Sequence, residues 1–279
     1  MKKIFLSLAL AISMMASAQV FEVGQLTKLN TPTDTDVKVA GVSADGSYVL
    51  ITSGSNHGLR RYDVATGETT VLSTANGAGY NVQISNDGQE IVYRETTVGK
   101  DHLRKHDVVR MNMADSKRTT VAKAQRDIKK MVVSNTKMSV SIENRLIVLN
   151  RNGKNITLAP NGSHESYIWP SISPDGKKLC YYVAGKGCYV ANLDGSKKQF
   201  IGRDCRAAQW YDNNTIVAMA DEDDGHYTTA STIYAYSLDG KKQALTNSSM
   251  IAMYPYASSA SKKIVFSTIN GEAYIINVK

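Results

Sequence analysis

Five histidines and one run of carboxylates are the side chains of this chain best suited to chemistry. His57, His102, His106, His164 and His226 offer imidazoles that titrate near neutral pH and ligate transition metals. Asp221, Asp223 and Asp224 belong to the run Asp221-Glu222-Asp223-Asp224-Gly225-His226. Its hard oxygen donors suit Ca²⁺, although it lacks the spaced Asp-x-Asp-x-Asp-Gly order of a dedicated calcium loop. No other cofactor is expected. There is no Gly-x-Ser-x-Gly elbow, no His-Glu-x-x-His, no phosphate loop and no Cys-x-x-Cys. Any catalysis would have to be assembled from scattered loops.

The elements that would position these groups come from a recurring unit of about forty residues, clearest at 167–203. It reads as a strand (168–173), the turn Pro174-Asp175-Gly176, a second strand (178–184), a short turn, a third strand (188–193), the turn Asp194-Gly195 and a fourth strand (198–203). Asp and Asn accept backbone hydrogen bonds in tight turns, and Gly supplies positive φ. The strands are rich in Val, Ile, Tyr and Thr, which suit half-buried or sandwiched positions. A repeated four-strand unit predicts an all-β fold, a six-bladed β-propeller of four-stranded antiparallel blades. The repeat places the blades at about 37–74, 79–126, 127–160, 165–204, 205–249 and 250–279. Blade 3 is degenerate, with Ser134-Asn135-Thr136-Lys137 in place of the Asp-Gly turn. Blade 6 offers only three strands, so residues 21–30 are expected to complete it and close the ring, which removes open edges.

This register sorts the loops by face. His57, His102, His106 and His226 are expected in loops between second and third strands, and His164 in the loop joining blades 3 and 4. Both loop classes open on one face of a propeller. The same face is expected to carry two long loops on opposite sides of the wheel, a basic one near 95–106 and an acidic one at 221–226. The starts of the innermost strands would line the channel mouth there with Asp36, Tyr80, Asp127, Glu165, Tyr167 and Arg206, joined by Lys38, Asn81, Lys129 and Met250. Such a mixed ring of charges and tyrosines suits a polar ligand such as a glycan or peptide.

Residues 1–18 read as a Sec signal peptide: Lys2 and Lys3, an apolar stretch at 4–15, and Ala16-Ser17-Ala18 before Gln19. That makes 19–279 the mature domain and predicts a periplasmic or secreted protein. No later run is long and apolar enough for a membrane span. Without Lys2 and Lys3, the mature chain has 31 Lys and Arg against 25 Asp and Glu, a net of +6. Residues 100–130 alone hold ten Lys and Arg against four Asp. This patch reads either as a docking surface for an acidic partner or as a solvated edge that resists strand pairing. Of the three cysteines, Cys180 is expected as a buried free thiol in mid-strand. Cys188 and Cys205 follow loops that open on one face, so a bridge between them is geometrically possible.

The run Ser173-Pro174-Asp175-Gly176-Lys177-Lys178-Leu179-x-Tyr181, followed by Tyr189-Val190-Ala191-Asn192-Leu193-Asp194-Gly195, resembles the repeat of TolB-like (WD40-like) six-bladed β-propellers of exported bacterial proteins. The same repeat occurs in the propeller domains of prolyl-oligopeptidase-type enzymes. Tyr254-Pro255-Tyr256 and Lys262-Lys263-Ile264-Val265-Phe266 resemble it too, so the likeness covers roughly 37–279. These motifs sit in structural turns and imply the fold, not a reaction. Neither the extra α/β domain of TolB nor a hydrolase domain accompanies them. The expected function is a non-catalytic binding or scaffold protein for a protein or glycan partner in the cell envelope. It would act as a monomer, without nucleic acid. The alternative is a propeller lyase or hydrolase acting on a polysaccharide, with metal assistance.

Overall fold

The computed structural model describes residues 19–32, 36–128, 131–134 and 136–279, and their regular structure is entirely β. The expected signal peptide and Lys129 lie outside the described residues. No helix is long and apolar enough to cross a membrane. The strands form six antiparallel sheets arranged as the blades of a propeller. Blade 1 comprises β2 (Val37–Val42), β3 (Tyr48–Ser53), β4 (Leu59–Asp63) and β5 (Thr69–Ser73). Blade 2 comprises β6 (Gln83–Ile84), β7 (Glu90–Val98), β8 (Arg104–Asn112) and β9 (Arg118–Gln125). Blade 3 has β10 (Met138–Glu143), β11 (Leu146–Arg151) and β12 (Lys154–Leu158). Blade 4 has β13 (Tyr167–Ile172), β14 (Lys178–Val183), β15 (Gly187–Asn192) and β16 (Gln199–Gly202). Blade 5 has β17 (Arg206–Trp210), β18 (Thr215–Asp223), β19 (Thr228–Ser237) and β20 (Lys242–Ala244). Blade 6 has β21 (Ala252–Ser258), β22 (Lys263–Thr268) and β23 (Ala273–Val278), with β1 (Val23–Lys28) as its outer strand.

One hydrogen-bond device makes the first turn of three blades. The hydroxyls of Ser43, Ser85 and Ser173 donate to Asp45, Asp87 and Asp175 at 2.6, 2.5 and 2.6 Å. Each Asp oxygen also accepts an N–H two residues further on, from Ser47, Gln89 and Lys177. Gly46, Gly88 and Gly176 then take φ of 67°, 70° and 71°, where a side chain would be strained. Blade 3 lacks both the Asp and the Gly. Among the described residues it shows three strands. Ser134 instead gives its N–H and its hydroxyl to the Glu90 carboxylate at 2.5 and 2.8 Å.

The cores lie between blades. One buried cluster joins blades 5 and 6 through Val217, Ile233, Ile264 and Phe266, and another joins blades 4 and 5 through Tyr182, Val190, Trp210 and Ile216. Similar clusters fill the seams between blades 1 and 2, 6 and 1, and 3 and 4. Among the described residues, no such cluster fills the seam between blades 2 and 3. The ring closes as expected. β1 runs antiparallel to β23, with Leu26 opposite Ile276 and Lys28 opposite Tyr274. Phe21, just ahead of β1, is buried against Tyr211 with ring centroids 4.5 Å apart.

Three local expectations change. The basic and acidic insertions are hairpin extensions of β7–β8 and β18–β19, with short turns at 99–103 and 224–227. His106 is therefore a strand residue, opposite Thr96. The cysteines are three buried free thiols, with no Cys188–Cys205 bridge. The register sets Cys188 diagonally across from Cys180, and their sulfurs approach to 3.6 Å.

Candidate functional site at the channel mouth

The first strand of each blade is innermost, and in blades 1, 4, 5 and 6 its ladder with the second strand breaks partway. The breaks fall at Val39/Gly41, Ile168/Ser171, Arg206/Gln209 and Met253/Tyr256. Three of these bulges hold a residue of left-handed backbone: Trp169 (φ 51°), Ala207 (φ 49°) and Tyr254 (φ 52°). Asn81, at the matching place in blade 2, has φ 55°. Such values are rare outside Gly, and for a bulky aromatic they cost on the order of 1–3 kcal/mol. A bulge takes one residue out of the ladder and re-aims its side chain. Trp169 is 43% exposed although its strand is flanked by a sibling strand and two neighbouring blades.

Around this mouth, aromatic rings are coupled to cations. Arg94 of β7 sits over the Tyr80 ring at 4.1 Å, and Tyr80 is 50% exposed. Lys38 of β2 sits over the Tyr254 ring at 4.7 Å and donates to Asn56 Oδ1 at 3.3 Å. Trp169 meets Tyr182 edge-on, with centroids 5.5 Å apart. Arg206 donates to the Tyr182 hydroxyl oxygen, and this bond and the charge of Asp221 raise its pKa. Arg206 donates to Asp221 Oδ2 at 2.9 Å, while Asp221 Oδ1 is buried without a partner. Burial lowers the pKa of Lys38 and of Arg94, so each charge is partly desolvated. Desolvated cations beside aromatic faces interact more strongly with ligand oxygens than solvated ones do. The two cation–ring couples come from blade 2 and from the seam of blades 6 and 1, and the Trp169–Tyr182–Arg206 cluster comes from the seam of blades 4 and 5.

The expected site residues are spread more widely. Tyr80 and Arg206 belong to this ring. Asp36 immediately precedes β2, and Asp127 is exposed beyond the end of β9. Glu165 accepts from Lys186 Nζ at 2.5 Å. Tyr167 does not line the mouth. It is buried in the core between blades 3 and 4, where its hydroxyl accepts from the Asn161 N–H at 2.7 Å and donates to the Gly162 carbonyl. The sequence reading missed Trp169, Tyr254, Tyr182 and Arg94. The available signal was the aromatic-Pro pair, Trp169-Pro170 and Tyr254-Pro255, at one repeat position.

The histidines do not converge. His57 Nδ1 bonds Asn76 Oδ1 at 2.7 Å, and His106 Nδ1 bonds Thr96 Oγ1 at 2.9 Å. His102 and His226 occupy hairpin turns, and His164 the exposed loop between β12 and β13. Burial, then the charges of Arg94 and Arg104, lower the pKa of His106. Among the described residues, no group of three or more His, Cys, Asp or Glu could hold a metal ion. The carboxylates of the acidic run cap their own hairpin: Asp223 accepts from the Gly225 N–H, and Asp224 from those of His226 and Tyr227.

Two hollows lie on blade flanks. One, of about 330 Å³, runs along blade 1 beside His57, Arg60 and Val71. The other, of about 260 Å³, lies between Phe200 of blade 4 and Lys241 and Lys242 of blade 5. Each draws on one or two blades, whereas the mouth gathers side chains from five.

The fold is a six-bladed propeller of the kind seen in TolB-like and WD40 proteins. The chain is similar to the structure of a TolB candidate from Agrobacterium tumefaciens, with TM-score 0.60, 14% identity, and 91% of this chain and 96% of that chain covered. It is also similar to the Cps50 (Swd1) β-propeller domain of Myceliophteria thermophila, with TM-score 0.59, 9% identity, and 91% and 100% covered. An oligogalacturonate lyase in complex with manganese aligns with TM-score 0.51, 15% identity, and 85% and 76% covered. No family model and no curated protein matches the sequence.

Proposed function

We propose that this chain is an exported binding propeller whose channel mouth takes a glycan of the bacterial envelope. The observation that carries the reading is the pair of cation–ring couples, Lys38–Tyr254 and Arg94–Tyr80, together with the Trp169–Tyr182–Arg206 cluster. Aromatic faces stack on the apolar faces of sugar rings, and adjacent cations and amides read the oxygens around the rim. The strained backbone at Trp169 and Tyr254 supports it, because such strain concentrates at functional sites. Export rests on the signal-peptide reading of residues 1–18. The propeller likeness to a lyase supports no reaction here, since one fold hosts many activities.

The test is titration of the mature chain with envelope-derived and commercial oligosaccharides, followed by calorimetry and tryptophan fluorescence. Trp169 is exposed whereas Trp210 is buried, so a ligand at the mouth should perturb the emission of Trp169. The expected result is saturable binding that is lost in Trp169→Ala. Specific recovery of an envelope protein, with no response to any glycan, would replace the glycan by a protein partner. Release of new reducing ends on incubation would move the chain to the enzyme reading.

A further inference from the structure

The two long hairpins form the most unusual surface of the molecule outside the mouth. β7 and β8 are 9 residues each, and β18 and β19 are 9 and 10. The second and third strands of blades 1, 4 and 6 have only 5 or 6 residues. At about 3.3 Å per residue, each hairpin stands roughly 10 Å above its neighbours. Both rise from turns between second and third strands, hence on the mouth face. They belong to blades 2 and 5, which are diametrically opposite in a ring of six.

Their charges are opposite. The blade 2 arm carries Lys100, Arg104 and Lys105 near its tip, with one acid there, Asp101, paired to Lys105 at 3.7 Å. The blade 5 arm carries exposed Glu222, Asp223 and Asp224, and no Lys or Arg occurs between residues 207 and 240. Each tip also exposes apolar surface: Val98 at 61% and Leu103 at 37% on one arm, Tyr227 at 75% on the other. Exposed apolar groups ringed by charge are the usual composition of an interaction surface.

We infer that the mouth face is the interface of a face-to-face homodimer. A twofold axis lying in the plane of that face, perpendicular to the line joining blades 2 and 5, sets the basic arm of each copy on the acidic arm of the other. One symmetry operation satisfies both pairs, and the contact closes without leaving a free complementary end. Any other single partner would have to carry a positive and a negative patch at the same spacing. The inference replaces the expected monomer and rests on the arms rather than on the glycan reading; both use the mouth face, so a glycan bound there should weaken the dimer.

The experiment is sedimentation velocity on the mature chain at about 50 mM and about 500 mM NaCl, since arm-to-arm attraction between exposed charges is screened by salt. A dimer at low salt that dissociates by at least tenfold in affinity at high salt is expected. Two triple variants then test the pairing. K100E/R104E/K105E has two acidic arms and E222K/D223K/D224K has two basic arms, so each alone should be monomeric. Mixed in equal amounts, the two should form a heterodimer. A low-salt monomer would overturn the inference, and so would a variant that dimerises alone as tightly as the unaltered chain. Melting curves establish that the variants are folded, and the salt series on the unaltered chain requires no substitution.

Discussion

Trp169 combines a side chain suited to binding with a backbone unsuited to tryptophan. The left-handed conformation costs a non-glycine residue about 1–2 kcal/mol, while the edge contact with Tyr182 returns about 0.5–1.5 kcal/mol. Trp169→Gly should therefore leave the melting temperature unchanged or slightly higher, yet weaken glycan binding at least tenfold, about 1.4 kcal/mol. Calorimetry and a melting curve on one preparation check both halves. The turn carboxylates set the response to acid. A donated serine hydroxyl is the main cause holding Asp45, Asp87, Asp175, Asp194 and Asp239 below the ordinary carboxylate pKa. A depressed folded pKa contributes stability that is complete above the unfolded value, about 3.9, and is lost as pH falls through the folded one. Melting temperatures should be level between about pH 7 and 5, then decline below about pH 4. Ser173→Ala should make that decline shallower. The thiols offer a third check. The neighbouring thiol and then burial push Cys180 up, and Cys188 is also raised well above its ordinary value. Alkylation should be negligible in the native protein, and three thiols should react in denaturant.

Among the elements, β1 has the most specific task. A Cβ at Gly24 would lie 2.7 Å from the Asn277 carbonyl oxygen, which is backbone of the partner strand β23. Gly24→Ala should push the closing pair apart and cost about 1–3 kcal/mol, a fall of roughly 2–4 °C in melting temperature per kcal/mol. An unchanged melting curve would show that closure carries little of the stability. Closure was legible because blade 6 ran out of strands where residues 21–30 offered one. The Ser-x-Asp-Gly turns were equally legible, since their chemistry is local. The bulges were not. A bulge depends on how two strands slip past one another, and nothing in the spacing of Trp169-Pro170 alone separates it from a regular strand. Tyr167 misled for the same reason: alternation placed it on the strand, but the seam between blades 3 and 4 decided which way it faced.

Over the whole molecule, the repeat made six blades and a common histidine face readable, while convergence of side chains across blades was not. The five histidines share a face by topology yet bond locally, to Asn76 or Thr96 for example. The mouth instead assembles from residues of five blades that are remote in sequence. The cores are also unevenly distributed: among the described residues, no buried cluster fills the seam between blades 2 and 3. Amide exchange should therefore be fastest in β6 and β10, beside that seam, and slowest in β14 and β22, whose side chains are almost all buried. Equal protection across all blades would contradict this uneven packing. Ring closure also bears on the order of events in time. β1 and β23 are separated in sequence by all the other strands, so β1 stays unpaired until the intervening blades are in place. Contacts of such sequence separation are slow to form. Until β23 pairs with it, β1, with Phe21 beside it, is a transient liability, and a chaperone that shields short extended segments would act there first.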